Sequence, residues 1–151
     1  MNKTQRIDMV QRVVDDQERR KAEALALSER KVHEARTRLE ELQTYRGAYM
    51  QDFNRRAQSG LGGAAVREYQ VFLSRLEEAL QHQQQILSQA ELARSAELEN
   101  WRSAARRAAA VDTLAKHWRS EERQVEERRD QHETDERSLQ SWNRGSHLRV
   151  S

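Results

Sequence analysis

Apolar residues recur every three or four positions along residues 5 to 57. Ile7 and Val14 begin a stripe that Leu25, Val32, Ala35, Leu39, Leu42, Tyr49 and Phe53 continue. An average spacing near 3.5 keeps such a stripe on one side of a supercoiling helix. Polar Glu18, Lys21, Ser28 and Arg46 fall on it, so the seam is imperfect. Asp8 and Arg12, Asp15 and Arg19, Asp16 and Arg20, and Glu34 and Arg38 stand four apart, acid first. That is the better orientation for a solvated helical face.

The stepping stops at "QSGLGG", residues 58 to 63, which reads as a turn with helix-stop chemistry. It resumes through Val66, Tyr69, Leu73, Leu76, Leu80, Gln83, Leu87, Ala90, Leu98, Trp101, Ala108, Val111, Leu114 and Trp118. No proline or glycine interrupts residues 64 to 144, so a second, much longer helix follows.

Each helix carries one narrow apolar stripe, and a short turn makes antiparallel neighbours. The predicted fold is therefore all-α: a long antiparallel two-helix coiled-coil hairpin with an overhanging C-terminal helix end. Helix 1 is expected over 5–57, the glycine-rich turn over 58–63, and helix 2 over 64–140. Pairing should reach about residue 118, followed by a charged overhang and a disordered tail over 141–151. Folding about residue 61 sets Phe53 opposite about Tyr69, Ile7 opposite about Leu114, and Leu39 opposite Gln83, a polar break in the seam. The paired part would be a rod on the order of 80 Å long.

Composition agrees with extended helix rather than a globule. Of the 151 residues, 34% are charged, none is proline, and mean hydropathy is −1.10. Basic and acidic residues number 27 and 25, so the isoelectric point of 9.2 hides a net charge of only +2. Acids interleave with bases almost everywhere, whereas phosphate binding wants an uncompensated basic face. Nucleic acid is not an expected partner. The chain has no cysteine, no membrane-length apolar run and no secretory signal at its N-terminus. A soluble cytoplasmic protein, working as a monomeric hairpin, is the expectation.

Catalytic signatures are missing. Gly60, Gly62 and Gly63 lack the Lys-Ser/Thr of a phosphate-binding loop. His33, His82, His117, His132 and His147 show no helical metal-site spacing and read as surface residues. Paired glutamates abound, but a two-helix coil offers no pocket to perturb them. No enzyme, cofactor or metal is expected.

The remaining signal is aromatic. Tyr45, Tyr49, Phe53, Tyr69 and Phe72, five of the chain's eight aromatics, crowd around the glycine turn. Tyr49, Phe53 and Tyr69 fit the seam. Leu42, Tyr45 and Tyr49 make one i, i+3, i+7 ridge, and Phe72, Leu76 and Ala79 make an i, i+4, i+7 ridge on helix 2. The residues alone allow two readings: a thickened core near the turn, or an exposed anchor for a protein partner.

The runs "LQTYRGAYMQDF", "REYQVFLSRLEEAL" and "ENWRSAARRAAAVDTL", together with total length and hairpin spacing, resemble the FliJ family of flagellar protein export. The resemblance covers about residues 5 to 118. It implies a small coiled coil of the flagellar type III export apparatus, similar to the central stalk of rotary ATPases. The implied partners are the hexameric export ATPase, the cytoplasmic domain of the export gate, and export chaperones. The implied place is peripheral, at the inner face of the membrane. The family's gate-binding positions match Leu42, Tyr45, Tyr49, Phe72, Leu76 and Ala79, although Gln83 stands where the family pattern closes its second ridge with an imidazole. At the open end, Arg12, Arg19, Arg20, Arg106 and Arg107 are the cations expected to face the ATPase ring. The alternative is a generic coiled-coil adaptor or an injectisome stalk, which would share the hairpin but not the gate patch.

Overall fold

The computed structural model describes residues 1–150, with side chains through residue 146; Ser151 and the side chain of His147 lie outside the described residues. Two helices account for nearly all of it, and no strand occurs among the described residues: α1 spans Lys3–Gln58 and α2 spans Gly63–Val150. The all-α expectation therefore holds.

Local chemistry sets the ends of α1. Asn2 is the N-cap: its Oδ1 accepts from the Gln5 backbone N–H at 2.8 Å. Gln5 Oε1 accepts in return from the Asn2 N–H at 3.1 Å, a reciprocal capping box. At the far end, Ser59 and Gly60 donate to the carbonyls of Arg56 and Ala57 at 3.1 and 3.2 Å, tightening the last turn. Gly60 then takes φ 91°, a left-handed conformation that L side chains resist, and the helix stops there. Arg55 and Arg56 favour the negative end of the helix dipole and lie 3.6 and 3.2 Å from Asp52.

The chain divides into two compact units. One is Glu18–Ala104 and contains the turn. Here the helices run antiparallel: Phe53 stacks on Tyr69, Arg36 pairs with Glu91 at 3.3 Å, and Trp101 Nε1 donates to Glu18 Oε1 at 2.8 Å. Val32, Ala35, Leu76, Leu80 and Ala104 are buried. So are two polar residues, each with its hydrogen bond made: Ser28 donates to the Leu25 carbonyl at 2.7 Å, and Gln83 donates to the Ala35 carbonyl at 3.1 Å. Both stand at positions where the sequence pattern places polar breaks in the stripe. Gln83 bonds one turn away from its expected opposite, Leu39.

The other unit is Met1–Gln17 with Ala105 onward. Its helices are also antiparallel, and its core is small: Ile7, Val14 and Ala115. Polar contacts flank it. Gln11 donates to Asp112 at 2.8 Å, and Arg119 donates to Gln11 at 3.1 Å and also to Asp8. Thr4 donates to Glu122, and the Lys3 ammonium lies 4.1 Å from the centre of the Trp118 ring.

One expected seam position is corrected here. Leu114, expected on the apolar stripe of α2, is 39% exposed, while the adjacent Ala115 is fully buried. A stripe of mean spacing 3.5 drifts on a 3.6-residue helix, and over many turns the buried phase moves by one residue.

Residues 123–145 of α2 are all exposed. The helix nevertheless runs on through 141–150, the stretch expected to be a disordered tail. No proline stops it, and the helix runs through Gly145.

Candidate functional site

Five aromatic rings gather in the unit that holds the turn, and they form a continuous chain of contacts. Phe53 stacks on Tyr69 with centroids 3.6 Å apart. Tyr69 stacks on Tyr49 at 5.1 Å, and Tyr49 tilts against Phe72 at 4.5 Å. Phe72 meets Tyr45 edge-on at 6.0 Å, and Tyr45 stacks on Tyr49 at 6.5 Å. The edge and tilted contacts of Phe72 are favourable ring geometries, whereas Phe53 and Tyr69 lie nearly face to face.

The helical ridges explain the assembly. Tyr45, Tyr49 and Phe53 follow one another at four-residue steps on α1, and Tyr69 and Phe72 stand three apart on α2. Antiparallel pairing brings the two rows together. The two sequence readings of these aromatics then separate by residue. Phe53 and Tyr69 are half-buried at the seam, and Tyr49 and Phe72 are half-buried beside it. Tyr45 is 53% exposed. The cluster is thus packed at one edge and open at the other.

The remaining ridge residues divide as well. Leu42 is half-buried and Ala79 exposed, and both line one shallow groove with Arg38, His82 and Gln83. Leu76 is buried, 6% exposed, so it belongs to the packed seam and not to an open surface. The phase of a helical ridge against its partner decides such a case, and spacing alone does not supply it. Val71 was not singled out from the sequence. It is 53% exposed and lines a surface hollow with Phe72, Arg67 and Arg75. Its signal was there to read: an apolar side chain out of phase with the seam.

The five arginines expected to face a ring do not fall in one unit. Arg12, Arg106 and Arg107 belong to the unit of the chain ends, and Arg19 and Arg20 to the unit that holds the turn; all five are exposed. In the chain-end unit, the Lys116 ammonium 2.9 Å from Asp112 holds that carboxyl below its ordinary value, with help from Gln11 and Arg119 and against partial desolvation.

Among the described residues, no three His, Cys, Asp or Glu side chains gather to hold a metal ion. No helix of the described residues is long and apolar enough to cross a membrane. The arrangement supplies surfaces for contact.

The family model described as flagellar FliJ protein matches residues 2–147. No curated protein and no solved structure gives a significant match. With nearly the whole chain matched, the protein belongs to the FliJ family, non-catalytic components of the flagellar export apparatus with a stalk or adaptor role toward its ATPase and gate components.

Proposed function

We propose that the open edge of the aromatic cluster docks on the cytoplasmic domain of the flagellar export gate, while the unit of the chain ends engages the hexameric export ATPase. The observation that carries the first half is Tyr45. It stands 53% exposed while held against two rings, stacked on Tyr49 and edge-on to Phe72. An aromatic held by packing, yet open to a partner, loses little rotamer freedom on binding and makes an effective anchor. Leu42, Tyr49, Phe72 and Ala79 complete the docking face. Leu76, being buried, stands outside that face.

The ATPase contact rests on charge. Arg12, Arg106 and Arg107 are its candidates in the chain-end unit, with Arg19 and Arg20 in the other. Such exposed cations steer and align a partner more than they bind it. The protein works in the cytoplasm, held peripherally at the inner face of the membrane by these partners, and it assists export chaperones there.

The test is binding of the purified gate domain and of the ATPase to the intact chain and to a Tyr45→Ala variant. Removing an exposed anchor should weaken gate binding by about tenfold or more. ATPase binding and helix content should not change. Gate affinity equal to that of the intact chain would remove the aromatic docking reading. Charge reversal at Arg106 and Arg107 should weaken the ATPase complex at low salt and leave the gate complex alone.

A further inference from the structure

The exposed stretch of α2 beyond Glu122 is not uniformly polar. Val125, His132 and Leu139 recur at seven-residue steps, and Arg128, Asp135 and Trp142 recur three residues behind them. These are the a and d positions of a heptad seam. All six are exposed; Val125, Leu139 and Trp142 are 51%, 62% and 70% accessible. A solvated helix of this length gains little stability from itself. Across this stripe it makes one intrahelical pair, His132 with Glu136 at 3.1 Å. Among the described residues, Arg128, Arg129 and Asp135 make no ion pair within the chain.

Three pairs of charges on this stretch invert about His132: Glu127 and Arg137, Arg128 and Glu136, and Arg129 and Asp135. Arg129 and Arg128 stand three and four residues before it; Asp135 and Glu136 stand three and four after it. Val125 and Leu139 lie seven residues to either side. A sequence that inverts its own charge about a centre, and keeps its apolar residues at matching distances, complements a second copy of itself laid antiparallel. We propose that residues 121–146 of two copies pair in this way, with His132 on the two-fold axis. Val125 of one copy meets Leu139 of the other. Arg128 and Arg129 meet Asp135 and Glu136. Trp142 covers the seam between the other copy's Trp118 and Val125. Parallel pairing is disfavoured, because it sets Arg128 against Arg128 and Asp135 against Asp135.

Three apolar side chains per copy make a weak, reversible contact, and its ionic part is screened by salt. The pairing therefore serves as a concentration-dependent cover for the overhang. It does not depend on the gate or ATPase reading.

The lack of cysteine gives a clean background for the test. In the full-length chain, His132→Cys alone should form a disulfide-linked dimer under mild oxidation, faster than Thr134→Cys on the opposite face. Val125→Cys and Leu139→Cys should cross-link when mixed and not singly, since equivalent copies of either lie about 20 Å apart. Dimer formation by Val125→Cys alone, at the rate of His132→Cys, would mean parallel pairing and overturn the proposal. So would equal rates at His132 and Thr134. A second pair of variants tests the charges. Arg128→Asp with Arg129→Asp, and Asp135→Arg with Glu136→Arg, should each self-associate on the order of tenfold less at low salt. Mixed together they should form a heterodimer by sedimentation velocity. A mixture that associates no better than its components would also overturn it. Circular dichroism shows whether each variant keeps its helix.

Discussion

The turn-bearing unit and the chain-end unit pair the same two helices by different means. Around the turn, rings stack on rings, and the contact is mostly apolar area. At the chain ends the core shrinks to Ile7, Val14 and Ala115, and the edges are closed by Asp8, Gln11, Asp112 and Arg119. Area burial is little screened by salt. Hydrogen-bonded charge is screened by salt and demands close geometry. The turn-bearing unit is thus held mainly by bulk and the chain-end unit by specific polar fit.

Four perturbations test that contrast. Leu76→Ala should have the largest effect. It hollows the buried layer next to the rings and should cost about 3 kcal/mol in the turn-bearing unit. Hydrogen exchange should localise the loss there, and a loss spread evenly over α1 and α2 would break the contrast. Ala115→Leu comes next. Its site is fully buried, so a larger side chain must push the helices apart at the chain ends. Overpacking should cost about 2 kcal/mol and raise exchange among residues 3–17. Arg119→Ala should cost up to about 1 kcal/mol, since the side chains of the Asp8 pair remain about 40% exposed. That cost should shrink in high salt, whereas the Leu76→Ala cost should not.

The smallest effect is a pH dependence. Asp112 titrates below its unfolded value, so its contribution is present above that value and is lost as pH falls through the folded one. Acid should therefore loosen the chain-end unit before the ring cluster, and Asp112→Asn should remove that part of the difference. Exchange rates measured across the carboxylate range check this directly.

Much of this architecture was legible in the sequence. Three- and four-residue stepping marks both helices, and the glycines mark the turn. The expected opposition of Phe53 and Tyr69 is met by a stacked ring pair, because one tight turn leaves an antiparallel partner few registers nearby. Legibility fades with distance from that turn. Leu114 and Ala115 are adjacent, and a sequence reading weights the larger apolar residue, whereas close helix approach selects the smaller. The candidate site divides in the same way. Five clustered aromatics are visible as letters, but Tyr45 open and Leu76 buried depend on helix phase, which spacing leaves free by tens of degrees. The polar closure at the chain ends was not legible at all. Asp8, Gln11, Asp112 and Arg119 are ordinary surface residues until the register places them side by side.

Gln83 has a mechanical meaning in this light. Its amide is buried and reaches one particular carbonyl, that of Ala35. Sliding α2 along α1 by one turn within this unit would move the amide off its acceptor and into an apolar layer, where an unsatisfied donor costs about 1–3 kcal/mol. Ring stacking alone would tolerate a gradual slip. The glutamine turns that smooth coordinate into a notched one, a detent against creep of one helix along the other.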